Sequence, residues 1–401
     1  MAARQEISVD QLRLGMYVAE LDRPWLDTKF PFQGFVIASQ GDIERLRKTC
    51  KTVFIDLEKG SGTDADCERT RPPIPGVRGD VRYPERLPVE RELGTAKILF
   101  EECKRVMEKN LQALVAGGEL DAEALKSSVH SIRDSIERNP DAMLLLTKLR
   151  QKDARHLERA LDVSVLMVTF GRFLQLPREH LDLLGLVGLL QDIGKVKLRD
   201  AVLSKRESLS ADEVAQARSH VVHSAAILRR TRGFPPELPD LVLLHHERYD
   251  GSGYPRGLAG TEIGMMGSIA AIADSYSAMT SLRVYAEQMS PSNALGILYK
   301  GRGTLYHEAL VEQFIQCIGI YPVGSVVELN SGEVGVVIAQ NRVRRLQPRV
   351  MVLLDAESRP ISPQKILDLI KEPKTAVGEP YRIKRTLESS KLPLDPRDFF
   401  L

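Results

Sequence analysis

The sequence predicts a multi-domain, mainly α protein: a long helical block set between a small N-terminal α+β domain and a small C-terminal β-barrel-like extension. Three observations carry that expectation. A chain of 401 residues exceeds what one ordinary core organises, so two to three domains are the starting point. Apolar residues recur every three or four positions from about 95 to 320, the period of an amphipathic helix. On either side the pattern changes to short β-branched runs bounded by Gly, Asn and Pro. Hydrophobic residues at 43% and charged residues at 27% are those of a globular chain. The net charge of +2 neither demands nor excludes nucleic acid.

Residues 1–60 read as the α+β domain, with strands at Glu6–Val9, Met16–Ala19 and Val53–Leu57. A helix is expected from Asp42 to Thr49, because the Asp42 carboxylate can accept the first free backbone N–H groups. Trp25, the single tryptophan, lies near Phe30, Phe32 and Phe35 in an aromatic patch that reads as this domain's core or a docking face. Residues 61–94, which include Arg71-Pro72-Pro73-Ile74-Pro75-Gly76, read as a linker. The helical block at 95–320 opens with Leu99, Cys103, Val106, Met107, Leu111 and Leu114 on one stripe. Further helices are predicted at Asp121–Arg138, Pro140–Asp153, Arg155–Leu174, Arg178–Gln191, Ala211–Thr231 and Pro236–Glu247. The amphipathic stretch 95–150 is the expected dimerisation surface, and a homodimer the expected assembly.

Strands at Ser325–Asn330, Gly335–Gln340 and Arg349–Leu354 place a small β domain at 321–371. Its cluster Arg342, Arg344, Arg345 and Arg349 reads as a solvated hairpin, since the interleaved aromatics of a nucleic-acid platform are missing; no DNA partner is expected. The charged, proline-rich tail 372–401 is expected to be loose or packed on a partner. Cys50, Cys67, Cys103 and Cys317 lie far apart without CxxC spacing, which suits reduced thiols. No apolar run reaches the roughly 18 residues of a membrane span. No secretion-type segment opens the chain, so a cytoplasmic location is expected.

Chemistry concentrates in the helical block. His245-His246 follows the apolar run Leu241–Leu244 and opens directly onto Glu247-Arg248-Tyr249-Asp250-Gly251-Ser252-Gly253-Tyr254-Pro255. The bland reading is that one histidine caps a helix and the other packs. Against it stand further ligand-type side chains in the same block: Asp192 at the end of the apolar run Leu183–Leu190, with Lys195 three residues on, His220, and Asp274 inside Ile269–Ala273. Buried charges are rarely tolerated without partners. Asp192, His220, His245, His246 and Asp274 make a mixed N/O set that suits iron, manganese, zinc or nickel.

These motifs together resemble the HD-GYP family of cyclic di-GMP phosphodiesterases. Asp192-Ile193-Gly194-Lys195 is similar to the second half of its HD-x-GK motif, and the stretch from His245 to Pro255 to its signature. The segment from Ile272-Ala273-Asp274 to Tyr285 is similar to its closing segment. Leu14-Gly15-Met16-Tyr17-Val18 and the residues from Trp25 to Phe35 resemble the small domain often placed before such units, and Tyr321–Ser325 resembles the β extension after them. The resemblance implies an HD-type all-α domain that hydrolyses a cyclic dinucleotide phosphodiester at a two- or three-metal site. It implies that Asp192 bridges metals, that His220, His245 and His246 complete one metal's ligands, and that Asp274 binds a neighbouring metal. Lys195 would act with Asp192 in catalysis, at the scissile phosphate or the leaving oxygen. Arg283, Tyr285, Gly253, Tyr254 and Pro255 would bind substrate.

Three departures from the family pattern cluster at one place. The histidine of the HD motif is Gln191, the first metal histidine falls on Arg159, and a glutamate used for a third metal falls on Arg155. A guanidinium cannot be deprotonated in a protein, so it cannot be a metal ligand; His156 could substitute only if its helix slipped. The expectation is therefore a catalytically impaired member that binds cyclic di-GMP and carries at most one divalent transition metal, or none. One alternative is an active phosphodiesterase yielding pGpG or GMP with a reduced metal centre. Another is a scaffold whose Gly-Tyr-Pro loop meets diguanylate cyclases or other signalling proteins.

Overall fold

The computed structural model describes residues 4–12, 16–22, 35–37, 40–56, 78–148, 155–203, 205, 207–281, 289–342 and 344–387. It divides into two units, Met1–Pro73 and Ile74–Leu401. In the first, β1 (Arg4–Ser8), β2 (Tyr17–Leu21), β3 (Phe35–Val36), α1 (Gln40–Thr49) and β4 (Thr52–Asp56) follow in order. The strands form an antiparallel sheet in the order β1-β4-β2-β3. Strand alternation turns Ile7, Val18, Val53 and Ile55 inward, where they meet Ile43 and Leu46 of α1 in one apolar cluster. Asp42 lies inside the first turn of α1 rather than at its cap, and it accepts from Arg45 Nη2 at 2.7 Å. Trp25, Phe30, Phe32 and Cys67 lie outside the described residues.

In the second unit the linker expected at 61–94 is replaced, from 78 on, by a docked strap. Gly79 N–H donates to Leu174 O at 2.9 Å, Val81 N–H to Gln175 O at 3.1 Å, and Tyr83 Oη to Leu176 O at 2.6 Å. Proline removes only its own donor, and the neighbouring N–H groups still find partners. The helices α2 (Val89–Val115), α3 (Ala122–Arg138), α4 (Pro140–Lys148), α5 (Arg155–Phe173) and α6 (Arg178–Leu190) follow. Asp121 caps α3, its Oδ1 accepting from Ala124 N–H at 3.0 Å. Ala96, Phe100, Cys103, Met107 and Leu114 of α2 lie in the chain's own helical core, and Leu99, Val106 and Leu111 of the predicted stripe are partly buried against it. Residues 149–154 lie outside the described set.

Two further helix expectations are corrected. The single helix predicted over Ala211–Thr231 is two, α8 (Ala211–Arg218) and α9 (His220–Arg230), after the short α7 (Asp200–Leu203). Ser219 keeps right-handed helical angles at the break, so the apolar period runs through it unaltered. The helix predicted over Pro236–Glu247 is only α10 (Leu238–Leu241), followed by tight turns: Leu243 N–H bonds to Asp240 O and Leu244 N–H to Leu241 O. A run of consecutive leucines and valine carries no period that tells a helix from buried turns. Then come α11 (Gly264–Thr280), α12 (Pro291–Lys300) and α13 (Glu308–Ile318). Residues 282–288, with Arg283 and Tyr285, lie outside the described set.

The C-terminal strands β5 (Val326–Leu329), β6 (Val334–Ala339), β7 (Arg349–Leu354), β8 (Pro360–Asp368) and β9 (Ile383–Leu387) form an antiparallel sheet in the order β8-β7-β6-β5-β9. The last strand comes from the stretch expected to be a loose tail: β9 pairs with β5, Val327 opposite Thr386. Its alternation is hidden in the sequence by Lys384 and Arg385, which both bind Glu328. In the basic hairpin Arg344 is exposed, whereas two of the other arginines are paired. Arg342 lies 3.6 Å from both Asp141 and Glu85, and Arg349 pairs with Glu90. Val326, Val334, Val336 and Ile338 join the helical core, while Val327, Leu329, Val350 and Val352 pack on the other face with Leu367 and Tyr381. Cys50, Cys103 and Cys317 are buried, and Cys103 and Cys317 are free thiols. Among the described residues no helix is long and apolar enough to cross a membrane.

Candidate metal centre

Two close backbone approaches create the site. A Cβ on Gly188 of α6 would lie 2.6 Å from Ser164 Cα, so this glycine lets α6 press against α5. After α6 the chain passes through Gln191 and Asp192 into a 3-10 turn, Ile193–Lys197. There a Cβ on Gly194 would lie 2.1 Å from His220 O, so only glycine allows the turn to lie on the start of α9. Ser224 fastens the joint, its Oγ accepting from Gly194 N–H at 2.8 Å and donating to Gln191 O at 2.7 Å. Nothing in the spacing of the sequence singles out Ser224.

The joint brings Asp192 against three imidazoles: one ligand atom each from Asp192, His220, His245 and His246 lies within 4.8 Å of the others. His220 Nδ1 is 2.6 Å from Ala217 O, and His245 Nδ1 is 2.8 Å from Val242 O. A carbonyl only accepts, so each Nδ1 carries a proton and Nε2 is the nitrogen that each ring turns inward. Those two Nε2 atoms are 3.4 Å apart and lie 3.1 and 3.8 Å from Asp192 Oδ1. Asp192 Oδ1 is buried and has no hydrogen-bond donor. Acceptors converging without a proton between them is the arrangement a cation relieves, and the backbone-oriented Nδ1–H groups are the usual support of ligating histidines. Burial pushes the His245 imidazole down to about 4 and that of His246 to about 2, so both keep their lone pairs near neutral pH. Burial alone would raise the Asp192 carboxyl, but the Lys195 ammonium at 2.6 Å, with the Arg159 charge, holds it well below its ordinary value. The donor set therefore fits a first-row divalent cation.

Asp274, on α11, stands apart from this set. Its Oδ1 accepts from Arg159 Nη2 at 2.8 Å and from Gln191 Nε2 at 2.9 Å. Burial would raise its carboxyl, and the Arg159 charge brings it below the ordinary value. Gln191 is buried and Arg159 is mostly buried, so one carboxylate oxygen serves two fixed donors in a water-poor place. Among the described residues Gln191 Oε1 and Arg159 Nε have no partner, which leaves this half of the site incompletely satisfied there. Nothing is described of the Arg155 side chain.

The loop after the histidines is held from beneath. Glu247, fully buried, accepts from Arg256 N–H at 2.8 Å and Leu258 N–H at 3.0 Å. Tyr254 N–H donates to His246 O at 3.2 Å, and the two rings stack with centroids 4.6 Å apart. Arg218, at the end of α8, lies 4.8 Å over the Tyr254 ring. Glu247 and Arg218 flank the recognised histidines, yet neither has a spacing that marks it.

Comparison with known proteins agrees with this arrangement. Residues 138–310 match an HD domain, 4–125 a domain of unknown function (DUF3391), and 326–387 a KOW domain associated with HD domain. A cyclic di-GMP phosphodiesterase of Pseudomonas aeruginosa is 34% identical over 91% of this chain and 89% of its own length. One from Thermotoga maritima is 38% identical over 32% of this chain and 35% of its own. A 3'3'-cGAMP-specific phosphodiesterase of Vibrio cholerae is 27% identical over 56% of this chain and 46% of its own. With near end-to-end similarity to the Pseudomonas protein and its HD-domain match folding Asp192, His220, His245 and His246 into one cluster, the chain belongs to the HD-GYP family.

Proposed function

We propose that this protein is a cyclic di-GMP signalling protein that holds one divalent transition metal and hydrolyses the dinucleotide weakly or not at all, serving as a binding and regulatory member of its family. The observation that supports this reading is the shared claim of Arg159 and Gln191 on Asp274 Oδ1. A carboxylate that would serve a second metal is already neutralised by a guanidinium, which cannot give up its proton or donate a lone pair. Asp192, His220, His245 and His246 would hold the one metal, which when bound supplies Lewis-acid polarisation of a phosphoryl oxygen and a lowered pKa for water. A pair of metals clamps both the attacking and the leaving oxygen of an in-line displacement. Here the Arg159 charge stands on the second side, and it orients a phosphate without activating a nucleophile. Lys195, already beside Asp192, offers its ammonium to the same phosphate.

Metal analysis and a hydrolysis assay test the proposal together. The wild type should carry about one metal per chain and bind cyclic di-GMP with little linear product. The double variant R159H/Q191H, which restores two imidazoles, should gain a second metal and turnover. Two tightly bound metals in the wild type would refute it, as would rapid turnover abolished by His245→Ala. That second outcome would establish the other reading, an active phosphodiesterase with a reduced centre, which the intact three-histidine set favours.

A further inference from the structure

Arg218 is the one feature at the rim of the metal centre that the family motifs leave without a task. It lies two residues ahead of His220, at the last turn of α8, and is exposed. Nearby arginines are spent on carboxylates: Arg229 and Arg256 both reach Asp240, and Arg159 reaches Asp274. Arg218 forms no ion pair or side-chain hydrogen bond with any described residue, and its guanidinium rests on the Tyr254 ring at 4.8 Å. A guanidinium lying on an aromatic face keeps its in-plane N–H donors directed away from that face, where they can grip a phosphate through two bonds. Its platform is well held. Tyr254 stacks on the His246 ring at 4.6 Å and donates its N–H to His246 O, and buried Glu247 anchors the loop that follows.

We infer that Arg218 is a substrate-binding residue that takes the second phosphodiester of a cyclic dinucleotide whose first phosphodiester lies at the metal. The ring of such a molecule carries two phosphodiesters on opposite sides, so a single cation centre leaves one anionic group unmet. Arg218 lies 4.8 Å from the centre of the Tyr254 ring, which itself stacks on the ligand His246, so a second cation stands beside the centre and outside it. The inference rests on the proposed binding of a cyclic dinucleotide, and it adds the residue that would favour a ring with two phosphates over a dinucleotide that carries a single phosphate.

Calorimetric titration of the metal-loaded full chain with cyclic di-GMP separates the two claims. Arg218→Ala should weaken binding about 10- to 100-fold, the scale of losing charge-assisted hydrogen bonds. Arg218→Lys should fall between, because a lysine keeps the charge and loses the planar fork. Both variants should retain wild-type metal content and melting temperature. Arg218→Ala binding within about two-fold of the wild type would overturn the inference and leave the proposed function standing. Loss of metal or a lowered melting temperature in both variants would overturn it too, by assigning Arg218 a structural role. No binding by the wild type would sink the functional reading itself and this inference with it.

Discussion

The pair Arg159–Asp274 is where a single side chain decides the chemistry, and it has measurable consequences. Removing one partner of a buried pair strands the other charge, at a cost of about 3–5 kcal/mol. Gln191 still donates to Asp274 Oδ1, so Arg159→Ala should cost about 3 kcal/mol at neutral pH, the low end, in urea unfolding. The Asp274 carboxyl is held below its ordinary 3.8, so the stability it contributes is present above that value and is lost as pH falls through the lower folded-state value. The gap between wild type and Arg159→Ala should therefore narrow below about pH 4. A gap that stayed constant into stronger acid would contradict the assignment. The imidazoles work in a second window. His245 and His246 are depressed from 6.5 to about 4 and about 2, so the unfolded chain takes up protons first, and the metal-free protein should lose stability as pH drops from 6.5 toward 4. At this scale the sequence was informative about residues that carry chemistry by type: Asp192, His220, His245 and His246. Ser224 and Glu247 escaped because a serine on a helix and a glutamate in a loop are ordinary residues until the fold gives them two backbone partners each.

Among the elements, the short 3-10 turn Ile193–Lys197 and α9 matter most, because their contact sets the distance from Asp192 to His220. Gly194→Ala places a methyl group 2.1 Å from His220 O and 2.4 Å from Ser224 N, both backbone atoms that cannot swing aside. The turn must lift off α9. Overpacking of this kind costs about 1–3 kcal/mol, and the displaced Asp192 should lose metal affinity at the same time. Ser224→Ala leaves the Gly194 N–H buried without a partner, at about 1–3 kcal/mol, with a smaller loss of metal. Thermal melts with and without added metal read both effects. Metal stabilisation of Gly194→Ala equal to that of the wild type would show that the contact does not position Asp192. The starts of α3 and α8 were legible at Asp121 and Ala211, whereas Asp42, read as a cap, lies inside the first turn of α1. They were not legible in Leu241–Leu244, where unbroken apolar character is compatible with a helix and with buried turns alike.

Across the whole molecule, composition told the small domains from the helical block, but it could not say which of them shares a core with it. Proline and charge suggested looseness at 61–94 and beyond 372, and residues 78–88 and 372–387 are held by backbone hydrogen bonds that no side-chain pattern advertises. Among the described residues of Met1–Pro73, Ile7, Val18, Ile43, Leu46, Val53 and Ile55 pack into one cluster. By contrast Val326, Val334, Val336 and Ile338 of the C-terminal sheet belong to the helical core, and Asp141 of α4 relies on that sheet for Gln340 N–H at 2.9 Å and for Arg342. Deleting that sheet should therefore unsettle the helices. A chain of residues 1–320 uncovers the face those four side chains occupy. Each contributes about 1.5–3 kcal/mol, so the loss approaches the roughly 5–15 kcal/mol that hold a typical domain folded. It also strands the buried Asp141 carboxylate. Chain 1–320 should melt far lower or aggregate, and a melt at the intact temperature would show that the helices close their core without the sheet.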